Sequence, residues 1–179
     1  MTNVHSDVLT FWREAGPGRW FKKDAAFDTD FRNRFLAAHE TAARGELDDW
    51  TLTPGGALAL LLLLDQFPRN AFRGTARMFA TDAQALQIAR NAIGSGLDAS
   101  VESELRNFFY LPLMHSENLP DQHQAVLLTS PLGGEQLRFA ILHRDIIERF
   151  GRFPHRNAML GRPTTPQEQV FLDEGGFPG

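Results

Sequence analysis

Three stretches of this 179-residue chain bring together residue types able to hold an anion or move a proton. The first, Asp65-Gln66-Phe67-Pro68-Arg69-Asn70, ends an apolar run and is followed by Arg73. A carboxylate in the last turn of a helix opposes the negative end of the helix dipole and requires a cation, which Arg69, Arg73 or Arg156 can supply. Either that pair pins the loop, or Asp65 holds an arginine aimed at an anionic ligand. The second stretch, Tyr110 to Glu117, puts His115 on the same helical face as Phe108 and Leu111, so an ionisable ring sits on an apolar side. His143 repeats the situation among Phe139, Ile146 and Phe150. Imidazoles change charge near neutral pH, which makes His115, His143 and the nearby Glu117 the candidate catalytic groups, although a histidine on an apolar face is more often a satisfied core residue. The third stretch, Arg149-Phe150-Gly151-Arg152-Phe153-Pro154-His155-Arg156-Asn157, carries arginines that suit a helix C-terminus, then a proline-stiffened loop able to preorganise recognition groups.

Guanidinium groups bind carboxylate or phosphate through two parallel hydrogen bonds. The candidate ligand-binding set is therefore Asp65, Arg69, Asn70, Arg73, Arg149, His155, Arg156 and Asn157, and Asp65, Arg69, His115 and Arg156 are expected to gather in one region. No metal site is expected. His115, Glu117, His143 and His155 are suitable ligand types, but no His-x-x-x-His spacing fixes two of them on one helix face. No cofactor is expected either, because a Walker loop, a dinucleotide fingerprint after a strand and a Gly-x-Ser-x-Gly elbow are all missing.

The elements that must position these groups read as helices throughout, with no alternating run long enough for a sheet. A first helix covers Ser6 to Glu14. Asp24 caps a second, whose Phe27, Phe31 and Phe35 recur every four residues, with Ala38 and Ala42 continuing the stripe to Gly45. Thr53-Pro54 opens a wholly apolar helix running to about Gln66, which Pro68 is expected to stop, leaving 67–74 as a loop. A stripe of Leu86, Ala89 and Ile93 marks the next helix, capped by Thr75 or Thr81 and ending at Gly94. Pro112 should kink or break the helix that starts near Val101. Helices follow over Asp121 to Thr129 and Glu135 to Phe150, and Thr165-Pro166-Gln167-Glu168 has the capping-box pattern for a last one. Short links imply antiparallel helix pairs, in one all-α domain over residues 1–179, arranged as an irregular bundle or short solenoid. Gln66-Phe67-Pro68-Arg69-Asn70 is echoed by Arg152-Phe153-Pro154-His155-Arg156-Asn157, which suggests that the two loops do similar work.

The balance of 18 basic and 22 acidic residues gives a formal charge of −4, and without a basic block it excludes the electrostatic footprint of a nucleic-acid binder. No apolar run approaches membrane-span length, so no membrane partner is expected. The chain has no cysteine, and Met1 to Thr10 lacks a secretory pattern, which together predict a cytoplasmic protein.

Trp20-Phe21-Lys22-Lys23, the Asp65 to Asn70 segment with Phe72-Arg73-Gly74-Thr75, Tyr110-Leu111-Pro112 with His115-Ser116-Glu117, and Arg149 to Asn157 together resemble the bacterial domain-of-unknown-function family 924, across essentially the whole chain. The resemblance implies an all-helical fold of the tetratricopeptide-like superfamily. It implies no established activity and assigns no catalytic residue. Two functions follow as expectations. In one, the arginines hold an anionic small molecule while His115 or His143 handles a proton, with catalysis left open. In the other, a helical scaffold binds a partner peptide or protein, and the Arg/His loops are structural clamps.

Overall fold

The computed structural model describes residues 4–177, all of them helical or irregular, with no strand among them. The chain divides into two compact units, one containing residues up to Arg73 and Arg77–Pro112, the other Gly74–Ala76 and residues from Leu113 onward.

The first unit is built on α1 (Val4–Ala15), α2 (Pro17–Trp20), α3 (Ala25–Ala43), α4 (Pro54–Leu61), α5 (Phe67–Ala71), α6 (Asp82–Gly94) and most of α7 (Ser103–Met114). Asp24 caps α3 by accepting from the backbone N–H groups of Ala26 and Phe27. Phe27, Phe31 and Phe35 face inward and stack against Phe11 and Trp12 of α1. The stripe continues through His39 and Ala42, not Ala38. His39 is buried, and its Nδ1–H donates to the Leu63 carbonyl at 2.9 Å. Burial pushes its pKa down, against the opposing effect of that carbonyl.

Pro68 does not stop the central helix. The path stays helical from Pro54 to Ala71, passing through one turn of π-helix at Leu62–Gln66. A proline lacks an N–H and its ring collides with the carbonyl four residues back, here that of Leu64. The π turn resolves this by widening: Phe67 N–H bonds to Leu62 O, five residues back. The displaced carbonyls find other donors. Leu63 O takes His39, Leu64 O accepts from Thr81 Oγ1 at 2.5 Å, and Asp65 O accepts from Arg69 at 2.9 Å. Asp65 therefore lies inside a continuous helical path and not in a last turn. With α4 and α5 joined in this way, nine helices are present among the described residues.

Thr81 stands at the N-cap of α6, but its hydroxyl serves Leu64 instead of the helix it precedes. Thr81→Val is thus expected to leave a buried carbonyl unsatisfied and to cost about 1.5 kcal/mol, read as a lower urea midpoint; an unchanged midpoint would contradict this account of the π turn. The buried stripe of α6 is Ala85, Ile88, Ala89 and Ala92, with Leu86 and Ile93 only half-buried, so the face is rotated from the sequence reading. Small residues sit on the inner side because α6 packs closely on α4, which is buried from Gly56 onward. Pro112 lies inside α7, which persists two residues beyond it before ending at Met114.

The second unit holds α8 (Leu119–Thr129), α9 (Gly134–Phe150) and α10 (Pro166–Asp173), around a core of Ile146, Ile147 and Phe153 flanked by Leu119, Phe150, Phe171 and Phe177. The buried side of α9 runs Ala140, His143, Ile146 and Ile147, while Phe139 is exposed. Gly151, with φ +68°, ends α9 in the left-handed conformation and turns the chain so that Phe153 enters the core. Among the described residues, no helix is long and apolar enough to cross a membrane.

Candidate functional site

In the first unit the π turn delivers Asp65, 1% exposed, beside Arg69. Arg69 lies 3.2 Å from the Asp65 carboxylate and bonds Asp82 through both terminal nitrogens, at 2.8 and 3.0 Å. Burial alone would lower its pKa, yet Asp65 and Asp82 outweigh burial and raise it, so the guanidinium is held charged. One turn further, Asn70 donates to Asp28 at 2.7 Å, and Arg73 meets the same carboxylate at 3.0 Å. Asp65 finds its cation in Arg69, one of the three candidates named from the sequence.

The second Phe-Pro loop repeats this construction with different atoms. Phe67 and Phe153 are both fully buried, each is followed by a proline in helical backbone, and each asparagine is buried and donates to a carboxylate shared with an arginine. There the carboxylate is Glu168, which receives Asn157 at 3.2 Å and Arg152 at 2.6 and 2.8 Å. Glu168 also completes the capping box of α10, accepting from Thr165 N–H at 2.7 Å. Glu117 accepts from Arg162 at 2.6 and 2.9 Å and from Phe153 N–H at 2.8 Å. Burial raises its pKa, but the hydrogen bonds from Arg162 and Phe153 prevail and hold Glu117 as a carboxylate, a poor proton donor.

Behind this loop the unit gathers three imidazoles and a guanidinium. The ring of His143 lies 6.2 Å from that of His115 and 5.5 Å from Phe153, and the His155 ring is 5.6 Å from Phe153. The Arg156 guanidinium stacks over Phe153, 4.5 Å from its centroid. His143, Arg156 and Phe153 are buried, while His115 and His155 are half-buried. The His143 Nδ1 lies 2.7 Å from the Phe139 carbonyl, which can only accept, so Nδ1 carries the proton and Nε2 is left as a hydrogen-bond acceptor. Burial first, then the neighbouring His115, lower its pKa to about 3, while the Phe139 carbonyl opposes them and Arg156 and His155 add to the fall. At neutral pH the cluster holds the Arg156 guanidinium, whose charge also helps to keep Glu117 ionised, and a neutral His143 imidazole of fixed tautomer.

Of the residues singled out from the sequence, the second unit thus brings together His115, His143, His155 and Arg156. Asp65, Arg69, Asn70 and Arg73 belong to the first unit, where each has a carboxylate or arginine partner. Arg149 lies over Phe150 and Phe171, and Asn157 serves the Glu168 network. Among the described residues, no group of three His, Asp or Glu side chains is arranged to hold a metal. An open surface cleft of about 480 Å³ lies elsewhere, lined by Asp7, Thr10, Phe11, Glu14, Arg34 and Phe35; its two acids against one arginine make it unsuited to an anion. Sequence reasoning did not find Asp28, Asp82, Arg162 or Phe177. Single acids and one aromatic near a chain end carry no pattern, and only the capping box pointed at Glu168.

No curated protein matches the chain. It is similar to the solved structure of a protein of unknown function, ATU0120, from Agrobacterium tumefaciens, with 55% identity and a TM-score of 0.94 over 96% of this chain and 98% of that one. Residues 8–176 match the family described as "Bacterial protein of unknown function (DUF924)", and at that coverage the chain belongs to it.

Proposed function

We propose that this protein binds an anionic small molecule at the cluster of His115, His143, His155 and Arg156. The observation that carries the reading is the convergence of His143, His155 and a buried guanidinium on Phe153, with His115 beside His143, in a chain of net charge −4. Arg156 would meet the negative group, and the bare Nε2 of His143 would accept from a hydroxyl or amine of the same ligand.

The clamp reading applies to the other loop residues. Arg69 pairs with Asp65 and Asp82, and Asn70 and Arg73 both meet Asp28, contacts that tie the helical path to its neighbours and support a scaffold role for the first unit. A tetratricopeptide-like arrangement of antiparallel pairs, and a single domain over residues 1–179, are further proposals; the tight packing of α8 on α9 across a short link supports the pairing.

The test is a titration with inorganic phosphate followed through the histidine ring signals by NMR. His115, His143 and His155 should shift together, and Arg156→Ala should weaken the apparent affinity by about tenfold or more, the loss expected when a charge-assisted bidentate contact is removed. Three unmoved ring signals at millimolar phosphate would overturn the proposal. Arg156→Lys, which keeps the charge without the fork, separates loss of binding from loss of folding.

A further inference from the structure

Phe177 lies over the very groups that the anion site offers. Its ring meets His143 edge-on, 4.7 Å between centroids at 62°, and His155 at 5.3 Å and 79°. It also packs on the Ile146, Ile147 and Phe153 cluster while remaining half-exposed. The path to this position is built into the backbone. Gly175 adopts φ +80°, and Gly175 and Gly176 donate to Leu172 O and Phe171 O at 3.2 and 2.9 Å. A Cβ at residue 176 would fall 2.5 Å from the Phe171 carbonyl and 2.6 Å from its ring, so only glycine passes there. The turn after α10 thus folds the chain back and sets an aromatic ring against the imidazoles of His143 and His155.

We propose that Phe177 stands in the place of the ligand's own ring: the site takes an aromatic ring bearing an anionic group, and Phe177 is a plug that such a ligand displaces. The inference rests on the anion-site reading above. The surface under Phe177 is complementary to a flat apolar ring, because the Ile146, Ile147 and Phe153 cluster supplies an apolar base and the imidazoles of His143 and His155 meet the ring edge to face. Arg156, stacked on the same Phe153, borders that base with a positive charge, where an anionic substituent of the ring would fall. A free anion without a ring gains nothing from displacing the plug. A ring with an anion replaces the contacts of Phe177 and adds the ion pair.

Phenyl phosphate and inorganic phosphate distinguish the two levels of the argument. If the plug is in place about nine-tenths of the time, it weakens apparent ligand affinity by about tenfold. Phe177→Ala should therefore bind phenyl phosphate about tenfold more tightly than the unaltered chain, while inorganic phosphate binds both about equally. Equal phenyl phosphate affinity in the two proteins, with inorganic phosphate still bound, would overturn the plug and leave the anion site standing. No binding of inorganic phosphate to either would remove the anion site and this inference with it. Phe177→Trp supplies a second readout that does not depend on the alanine variant folding. The native tryptophans are Trp12, Trp20 and Trp50, so the difference spectrum reports residue 177 alone. Its emission should shift to the red as phenyl phosphate lifts the ring into solvent, and an unshifted spectrum at saturation would overturn the proposal.

Discussion

Glu168→Ala lowers the unfolding free energy by roughly 3–4 kcal/mol, the low end of what removing one partner from a buried ion pair costs together with the loss of a helix cap. The low end applies because the two partners are unequally buried: the Glu168 side chain is 3% exposed and that of Arg152 is 26%. Arg152 can turn partly to water, as can the Thr165 N–H, whereas the buried Asn157 loses an acceptor inside the protein. Glu168→Gln keeps an acceptor for Thr165 but not the charge, and should cost about half as much. Urea midpoints of the three proteins check the order, and equal midpoints for all three would show that the network is idle. Acid tests the same group. The hydrogen bond from Arg152, opposed by burial and aided by Thr165, lowers its pKa to about 2 from an ordinary 4.5. A carboxyl depressed in the folded state adds stability above pH 4.5 and loses it as pH falls toward 2.

The helices and most of their ends were legible in the sequence because they depend on local chemistry. The Asp24 cap, Thr53-Pro54, the left-handed Gly151 and the Thr165 to Glu168 box all satisfy backbone groups within one turn, and each stands where the pattern put it. Pro68 misled for the same reason. Locally a proline ends a helix; here the unsatisfied carbonyls are met by His39 and Thr81, 24 and 17 residues away, and nothing near Pro68 announces those donors. The faces of α6 and α9 were rotated because periodicity marks an apolar side without saying which small residues lie at the closest approach. Within the candidate site the histidines were legible as ionisable groups on apolar faces. The meeting of His143 and His155 on Phe153 was not, since it requires the turn at Gly151 that brings Phe153 back against α9. The echo between the two Phe-Pro segments had a physical basis: each buries a phenylalanine and spends an asparagine and an arginine on one shared carboxylate.

Acidification should destabilise the protein well before the carboxylates titrate, and His143 is the reason. Burial and the adjacent His115 hold its pKa at about 3, against 6.5 for an ordinary histidine. Between those values the unfolded chain takes up a proton that the folded chain refuses, so stability declines as pH falls from 6.5 toward 3. Each pH unit in that window removes up to about 1.4 kcal/mol, less near pH 6.5, which makes a loss of about 2 kcal/mol between pH 6.5 and 4.5. His39, also depressed by burial, adds to the decline from the first unit, so the comparison must isolate His143. His143→Leu fills the site with an apolar side chain that cannot titrate, and its urea midpoint should fall less steeply between pH 6.5 and 4.5 than that of the unaltered chain. Parallel pH profiles for the two proteins would show that His143 is already protonated or solvated in the folded state. The same profile bears on function. An anion bound beside Arg156 brings negative charge close to His143 and favours its protonated form, so saturating phenyl phosphate should flatten the acid decline of the unaltered chain and leave that of His143→Leu unchanged.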